Sequence, residues 1–361
     1  MKALAKAHMA PRALLLVSVS AALLVSLASC ETPVVETPPP PVAAVIPPPP
    51  PVLMPSKVID MAGVFKEYVE RASSIDAGFT SGDSIAASLR TGETYQIDQF
   101  QRGETAYAAV VALQEPTFVA SLRMFASDAD GRAQVAKSLI ADPYYATIFP
   151  GADVAAGLVI AALNEQGKRL SAVGGKVKQA AYDVQHQSWS KADVVDRAGR
   201  LAQAKDISAK RQSATEADTG PLMKAAIGET PMHFSGEPVG PPYTPLVARA
   251  LAVAAMAALG EGGEEYTDQM TAMLGETAES SCLNMAKLNL YQCLAVSKPH
   301  YEDVFCLGQH ILADTGTCIQ KGAQVAVFVP PAPVALSSDK VTDVSTPAPP
   351  PQAKRALRRR K

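Results

Sequence analysis

Eight positions between Val159 and Val184 are separated by 4, 3, 4, 3, 4, 3 and 4 residues: Val159, Leu163, Gln166, Leu170, Val173, Val177, Ala180 and Val184. Only a helix places such positions on one side, so Val154–Gln187 is predicted as a single long helix with a heptad seam, Gln166 its one polar member. Gly167, Gly174 and Gly175 work against that helix by about 1 kcal/mol each relative to alanine. A neighbouring helix must therefore approach closely enough to offset the cost. Ser190 with Asp193 forms a weak capping box, which predicts a second helix through Val194, Ala198, Leu201 and Lys205. The two are expected to form an antiparallel pair joined near Trp189.

The same period governs the rest of the body. Ser56–Ser73 carries Val58, Ile59, Ala62, Phe65, Val69 and Ala72 near one face. Helices are also expected over Asp83–Leu89, Thr94–Leu113, Pro116–Ala126 and Asp130–Ala141, and later over Pro245–Leu259 and Glu264–Ser297. Glycine, proline or acidic caps divide them, and Pro116 suits a first turn. Apolar residues make up 48% of the chain and aromatics only 6%, much of the apolar share being alanine. That composition suits closely packed helices and points to an all-α fold. Six prolines between Pro221 and Pro245 make 213–245 an irregular connection and the expected internal boundary between helical regions 56–212 and 246–329.

Both ends differ from the body. Residues 31–55 contain eleven prolines, including Pro38–Pro41 and Pro47–Pro51. They read as an extended spacer reaching roughly 75 Å if fully drawn out. Pro330–Lys361 repeats the proline pattern and is expected to be disordered. At the start, Lys2, Lys6 and Arg12 precede an apolar run, Ala13–Ala28, too short for a spanning helix but suited to an export signal covering 1–29. The run ends in Leu27-Ala28-Ser29-Cys30, which resembles the lipobox of bacterial lipoproteins.

That resemblance implies cleavage before Cys30, a diacylglycerol thioether on its sulfur and usually an N-acyl chain such as palmitate. Two or three chains hold well beyond the marginal grip of one. Under the family's sorting rule, Glu31 after the cysteine favours the periplasmic face of the outer membrane. The inner membrane and the cell surface are the alternatives. The resemblance ends at Cys30.

The other four cysteines are Cys282, Cys293, Cys306 and Cys318, an even count that argues for two disulfides in an exported chain. Cys282 and Cys293 lie about 16 Å apart along a helix, beyond the ~7 Å Cα limit for a bridge. Helix-friendly sequence resumes after Lys298-Pro299-His300, so an antiparallel hairpin turning near Pro299 is expected. Facing residues in such a hairpin have nearly constant index sums. Cys282–Cys318 and Cys293–Cys306 give 600 and 599, whereas the crossed pairing gives 588 and 611, so the nested pairing is predicted. Eleven residues turn through about 1100°, close to three turns, which puts Cys282 and Cys293 on one face. The twelve-residue interval from Cys306 to Cys318 is off by about 120°, and a helix break at Asp314–Gly316 is expected to absorb it. The arrangement resembles the twin-cysteine hairpins of the coiled-coil-helix class, but those space their pairs C-x9-C, so the likeness is one of geometry and not kinship.

Function classes narrow mainly by exclusion. There is no H-E-x-x-H, no G-x-S-x-G and no G-x-x-x-x-G-K-[ST]. The cysteine spacing does not suit zinc, whose structural ligands stand about two to four residues apart, although Cys306 and His310 share a helical face. No cofactor and no metal are expected. The body between the signal and the terminal cluster holds 24 basic against 35 acidic residues, which argues against nucleic acid as a partner. Glu264-Glu265 and Glu276/Glu279 offer carboxylate pairs of the kind a cell-wall glycan hydrolase uses, but on helices such runs are ordinarily solvated faces. Met232-His233-Phe234 and Asp142-Pro143-Tyr144-Tyr145 read as packing. Arg355, Arg358, Arg359, Arg360 and Lys361, with Lys354, form a basic end suited to anionic lipid or wall polymer. The expectation is a membrane-anchored, non-enzymatic interaction or scaffold module of the cell envelope. A glycan hydrolase and a carrier of apolar ligands between alanine-rich helices are the alternatives.

Overall fold

The first helix, α1, spans Ser56–Ser73, and it buries the apolar face that its spacing predicts. It belongs to a computed structural model that describes residues 48–275 and 279–324; the signal, Cys30, most of the proline spacer and the basic end lie outside them. There follow α2 (Gly82–Glu93), α3 (Ile97–Ala112), α4 (Pro116–Ala126), α5 (Ala129–Ala141), a 3₁₀ turn at Pro143–Ile148 and α6 (Ala152–Val184). Then come α7 (Arg197–Ala209), α8 (Glu216–Ala226), α9 (Pro245–Leu259), α10 (Thr267–Met273), α11 (Glu279–Val296) and α12 (His300–Cys306). A π-helical segment, Leu307–Ala313, leads into α13 (Asp314–Ala323). The fold is all-α, and among the described residues no strand forms, only an isolated bridge between Asp193 and Pro299.

Caps set many of these boundaries. Ser81 and Ser84 exchange hydrogen bonds in a capping box that opens α2. Pro116 takes the first turn of α4 while the Glu115 carboxylate accepts from Thr117 N. Thr244 caps α9, which Gly260 ends in the left-handed region at φ 87°.

Helix α9 is the axis of the body: from Leu246 onward every residue but Arg249 is buried. A helix apolar on all sides must be enclosed by others, and here α3, α4 and the 3₁₀ turn surround it. Seven of its fifteen residues are alanine, so neighbouring backbones can come close without voids. Helix α3 is buried over most of its length and carries α1 on its other side. Phe65, Tyr68, Tyr95, Phe100 and Tyr107 meet there with ring centroids 4.8–5.4 Å apart.

Several boundaries depart from the sequence reading. Residues 213–245 do not divide the body, because one core runs through both sides of them. The helix α8 lies inside that stretch, packed on α1 and α3. Beyond it the chain is strapped down: Met232 N donates to Gln114 Oε1 (3.2 Å) and Val239 N to Asp153 O (3.0 Å). Glu264–Ser297 is not one helix but a 3₁₀ turn at Glu264–Tyr266, α10 and α11. The end of the expected spacer is docked. Met54 is buried, Leu53 N donates to Ala257 O (3.4 Å), and Ser56 N donates to Glu264 Oε1 (2.8 Å).

Candidate functional site

Six of the eight seam positions of α6 are buried and Val173 and Val184 are partly so, but the partner of the seam is not the next helix. Helix α7 begins at Arg197, with Asp196 accepting from Gly199 N (2.8 Å), and packs on α2 and α11. Ser190 instead turns back to the carbonyl of Gln187 (3.0 Å). The neighbours of α6 are α12, the π-helical segment and α13. Gly167 lies against Gly316 and Gly174 against Gly308, and a Cβ at either α6 position would come within 2.5 Å of backbone. These glycines bring two helix axes together, which is the close approach that their propensity cost demands.

The hairpin closes with the nested pairing. Cys282–Cys318 and Cys293–Cys306 are bridged, with Cα atoms 5.7 and 5.8 Å apart. The phase error of the twelve-residue interval is absorbed without a break. The π-helical segment Leu307–Ala313 inserts one residue into the helix, so twelve residues complete the three turns that eleven complete on α11. The same insertion explains why Gly308 and Gly316 stand eight apart while Gly167 and Gly174 stand seven apart.

The turn of the hairpin is held by α7. Arg197 Nε donates to Ser297 O (2.7 Å) and its Nη2 to Ala295 O (2.8 Å), so a cation sits at the carbonyl end of α11. Arg200 pairs with buried Asp303, which also accepts from Ser297 Oγ (2.8 Å).

One cleft gathers groups with chemical potential. It has a volume of about 430 Å3 and lies between α3, α7 and α11. At its floor Lys287, only 4% exposed, occupies the inward stripe Leu283, Lys287, Leu290, Leu294 of α11. Its Nζ donates to Glu93 O (3.0 Å) and Ser208 Oγ (2.8 Å), and stands 3.7 Å above the centre of the Tyr95 ring. The carbonyl ends of α2 and α7 converge here, which favours a cation. Burial works the other way and lowers the Lys287 ammonium to about 7, partly offset by nearby Glu93. Burial likewise raises the Glu93 carboxyl to about 7, with Lys287 opposing. Gln101, 2% exposed, lines the cleft with its Nε2 unpaired, and Glu93 Oε1 is also unpaired. Tyr291, Asn284 and Lys205 complete the wall and rim.

The sequence-derived candidates fall elsewhere. Cys30 and the basic residues Arg355, Arg358, Arg359, Arg360 and Lys361 lie outside the described residues, as does Glu276. Glu264 is engaged by Ser56 N and by Thr267, on the surface. Cys306 is bridged and His310 Nδ1 pairs with Asp314 Oδ2 (2.8 Å); among the described residues no three ligating side chains gather as a metal would require. Met232 and Phe234 pack against the core, and Tyr145 meets Phe149 edge-on. Ser208 and Lys287 were not singled out from sequence, since they stand 79 residues apart in no motif. The legible signal was a lysine on an apolar stripe. No protein-family model, curated protein or solved structure matches this chain.

Proposed function

We propose that the chain is a lipoprotein of the cell envelope, anchored through Cys30, whose stapled helical body is an interaction module held off the membrane by its proline-rich segment. The observation that carries this reading is the pair of cystines. Such bonds persist in oxidising compartments outside the cytoplasm, and the apolar run ending at Cys30 supplies the route there. No helix of the described residues is long and apolar enough to cross a membrane, and the proposed anchor is the lipid on Cys30. The module presents Met285, Leu288 and Val296 outward from α11, on the helix that both cystines hold in place. The terminal arginines add an electrostatic contact with anionic lipid or wall polymer.

Fractionation of cells producing the full chain tests the anchor. Wild type is expected in the membrane fraction, and Cys30→Ser in the soluble exported fraction. Photo-crosslinkers placed at Met285 and Leu288 are expected to give discrete partner bands. A Cys30→Ser chain that stays with the membrane would overturn the anchor, and crosslinking no different from that at the exposed Val195 would overturn the module.

A further inference from the structure

The Lys287 cleft has more in it than a structural cap requires. The buried carbonyl there, Glu93 O, already accepts from Tyr95 N (2.8 Å) and from the Ser208 hydroxyl (3.3 Å). Burying an amine for the same purpose costs more than burying a hydroxyl. The amine is placed to act as a base once it has lost a proton: its nitrogen, which as an ammonium donates to Ser208 Oγ, is 2.8 Å from that oxygen, and the Glu93 carbonyl and the Tyr95 ring fix its position from behind. Ser208 is 8% exposed and is one of the residues that line the cleft. The volume, about 430 Å3, suits a small molecule. Gln101 brings an amide donor with no partner to the same wall, which is what a developing oxyanion needs.

We propose that Ser208 is a nucleophile and Lys287 its general base, in a cleft that takes carboxylic esters with a small polar acyl group. Ser208 Oγ forms a bond to the acyl carbon while its proton passes to the Lys287 nitrogen. The bond from that carbon to the leaving oxygen then breaks, and the ammonium returns the proton to the departing alcohol. Water, deprotonated by the same amine, releases the acid and restores Ser208. The polar walls (Gln96, Asn284, Tyr291) and the Lys205 ammonium at the rim favour a polar acyl group over a fatty one. The groups facing the base are Glu93 and Tyr95 behind it, Lys205 on α7, Asp98 on α3 and Tyr291 on α11, with Arg90, Arg200 and Asp303 acting on Glu93. Burial leaves the amine largely unprotonated above neutral pH, the state a base requires.

The test uses the full chain in detergent with a fluorophosphonate and with p-nitrophenyl acetate, followed by intact mass and peptide mapping. One adduct on Ser208 is expected, absent in Ser208→Ala, with a rate that climbs from pH 6 to pH 8. Lys287→Arg keeps a donor for the Glu93 carbonyl but stays protonated, and is expected to slow labelling on the order of a hundredfold while remaining folded by circular dichroism. Ser208→Cys treated with iodoacetamide reports whether solutes reach the position. An unmodified Ser208 in the folded wild type would overturn the proposal. So would a Lys287→Arg variant that labels as fast as wild type, or a Ser208→Cys thiol that stays unreactive in the folded chain. The outcome does not depend on Cys30 or on any partner, so it stands or falls apart from the envelope reading.

Discussion

Two regions of this body solve the same packing problem by opposite means. Between α1 and α3, five aromatic rings fill the space with volume. Between α6 and the C-terminal hairpin, glycines remove volume until backbones touch, and two cystines hold the pieces in register. A ring cluster gains from the apolar area it buries. A glycine contact buries little side chain, so its stability leans on chain connectivity and on dispersion between closely fitted backbones. The first region should therefore suffer most from deletion, and the second from addition and from loss of its covalent ties.

The largest loss is expected from Phe100→Ala, which removes a fully buried ring that touches three others. Truncations of this kind cost about 3–5 kcal/mol, read as a lower urea midpoint at unchanged slope. Removing Cys282–Cys318 by double alanine substitution comes next, at about 4 kcal/mol for its 36-residue separation. Removing Cys293–Cys306, with a separation of 13, should cost about 3 kcal/mol. If the inner bridge proves the costlier, loop closure is not what these cystines contribute.

The junction between the regions has its own signature, because Glu93 ends α2 and Lys287 lies on α11. Burial has raised the carboxyl from its ordinary 4.5 to about 7 and lowered the ammonium from 10.5 to about 7. Between pH 4.5 and 7 the folded protein keeps a proton on Glu93 that the unfolded chain has released, so stability falls as pH rises. Between pH 7 and 10.5 the unfolded chain keeps a proton on Lys287 that the folded protein has released, so stability climbs again. Urea midpoints should pass through a minimum near pH 7, and the double variant Glu93→Gln with Lys287→Met should flatten it. A single maximum near neutrality in wild type would show that the pair stays charged in the fold.

These contrasts were unevenly legible in the chain. The seam from Val159 to Val184 and the apolar length of α9 announced themselves, because helical periodicity is a local property of contiguous residues. The cystine pairing was legible too, since an antiparallel hairpin leaves one arrangement in which both index sums agree. The partner of α6 was not. Sequence proximity suggested α7, whereas the glycines that choose the true neighbour, Gly308 and Gly316, lie more than 130 residues away. The twelve-residue interval signalled a phase error without saying whether a break or an inserted residue would absorb it. Ser208 and Lys287 meet only because α7 and α11 pack side by side, a relation that no spacing in the sequence encodes.

Two adjacent glycines give the finest test of the comparison. Gly174 faces the hairpin, where a Cβ would stand 2.5 Å from Ala313 N and 2.8 Å from Gly308 O, both backbone atoms that cannot step aside. Gly174→Ala should therefore destabilise by about 1–3 kcal/mol, the usual cost of overpacking. Gly175, one residue further along the same helix, has nothing within 4 Å of its added Cβ. There the substitution only stiffens the unfolded chain and improves helix propensity, so Gly175→Ala should stabilise by about 0.5–1 kcal/mol. Backbone, propensity and neighbouring sequence are nearly the same at the two sites, so the opposite signs isolate contact with the hairpin as the cause. Thermal unfolding of the two single variants, with cystines intact and then reduced, measures it. With the bridges open the hairpin can recede, and the penalty at Gly174 should shrink while the gain at Gly175 stays. Equal shifts at both positions would mean that the glycines serve α6 alone and that the hairpin is held by its cystines without them.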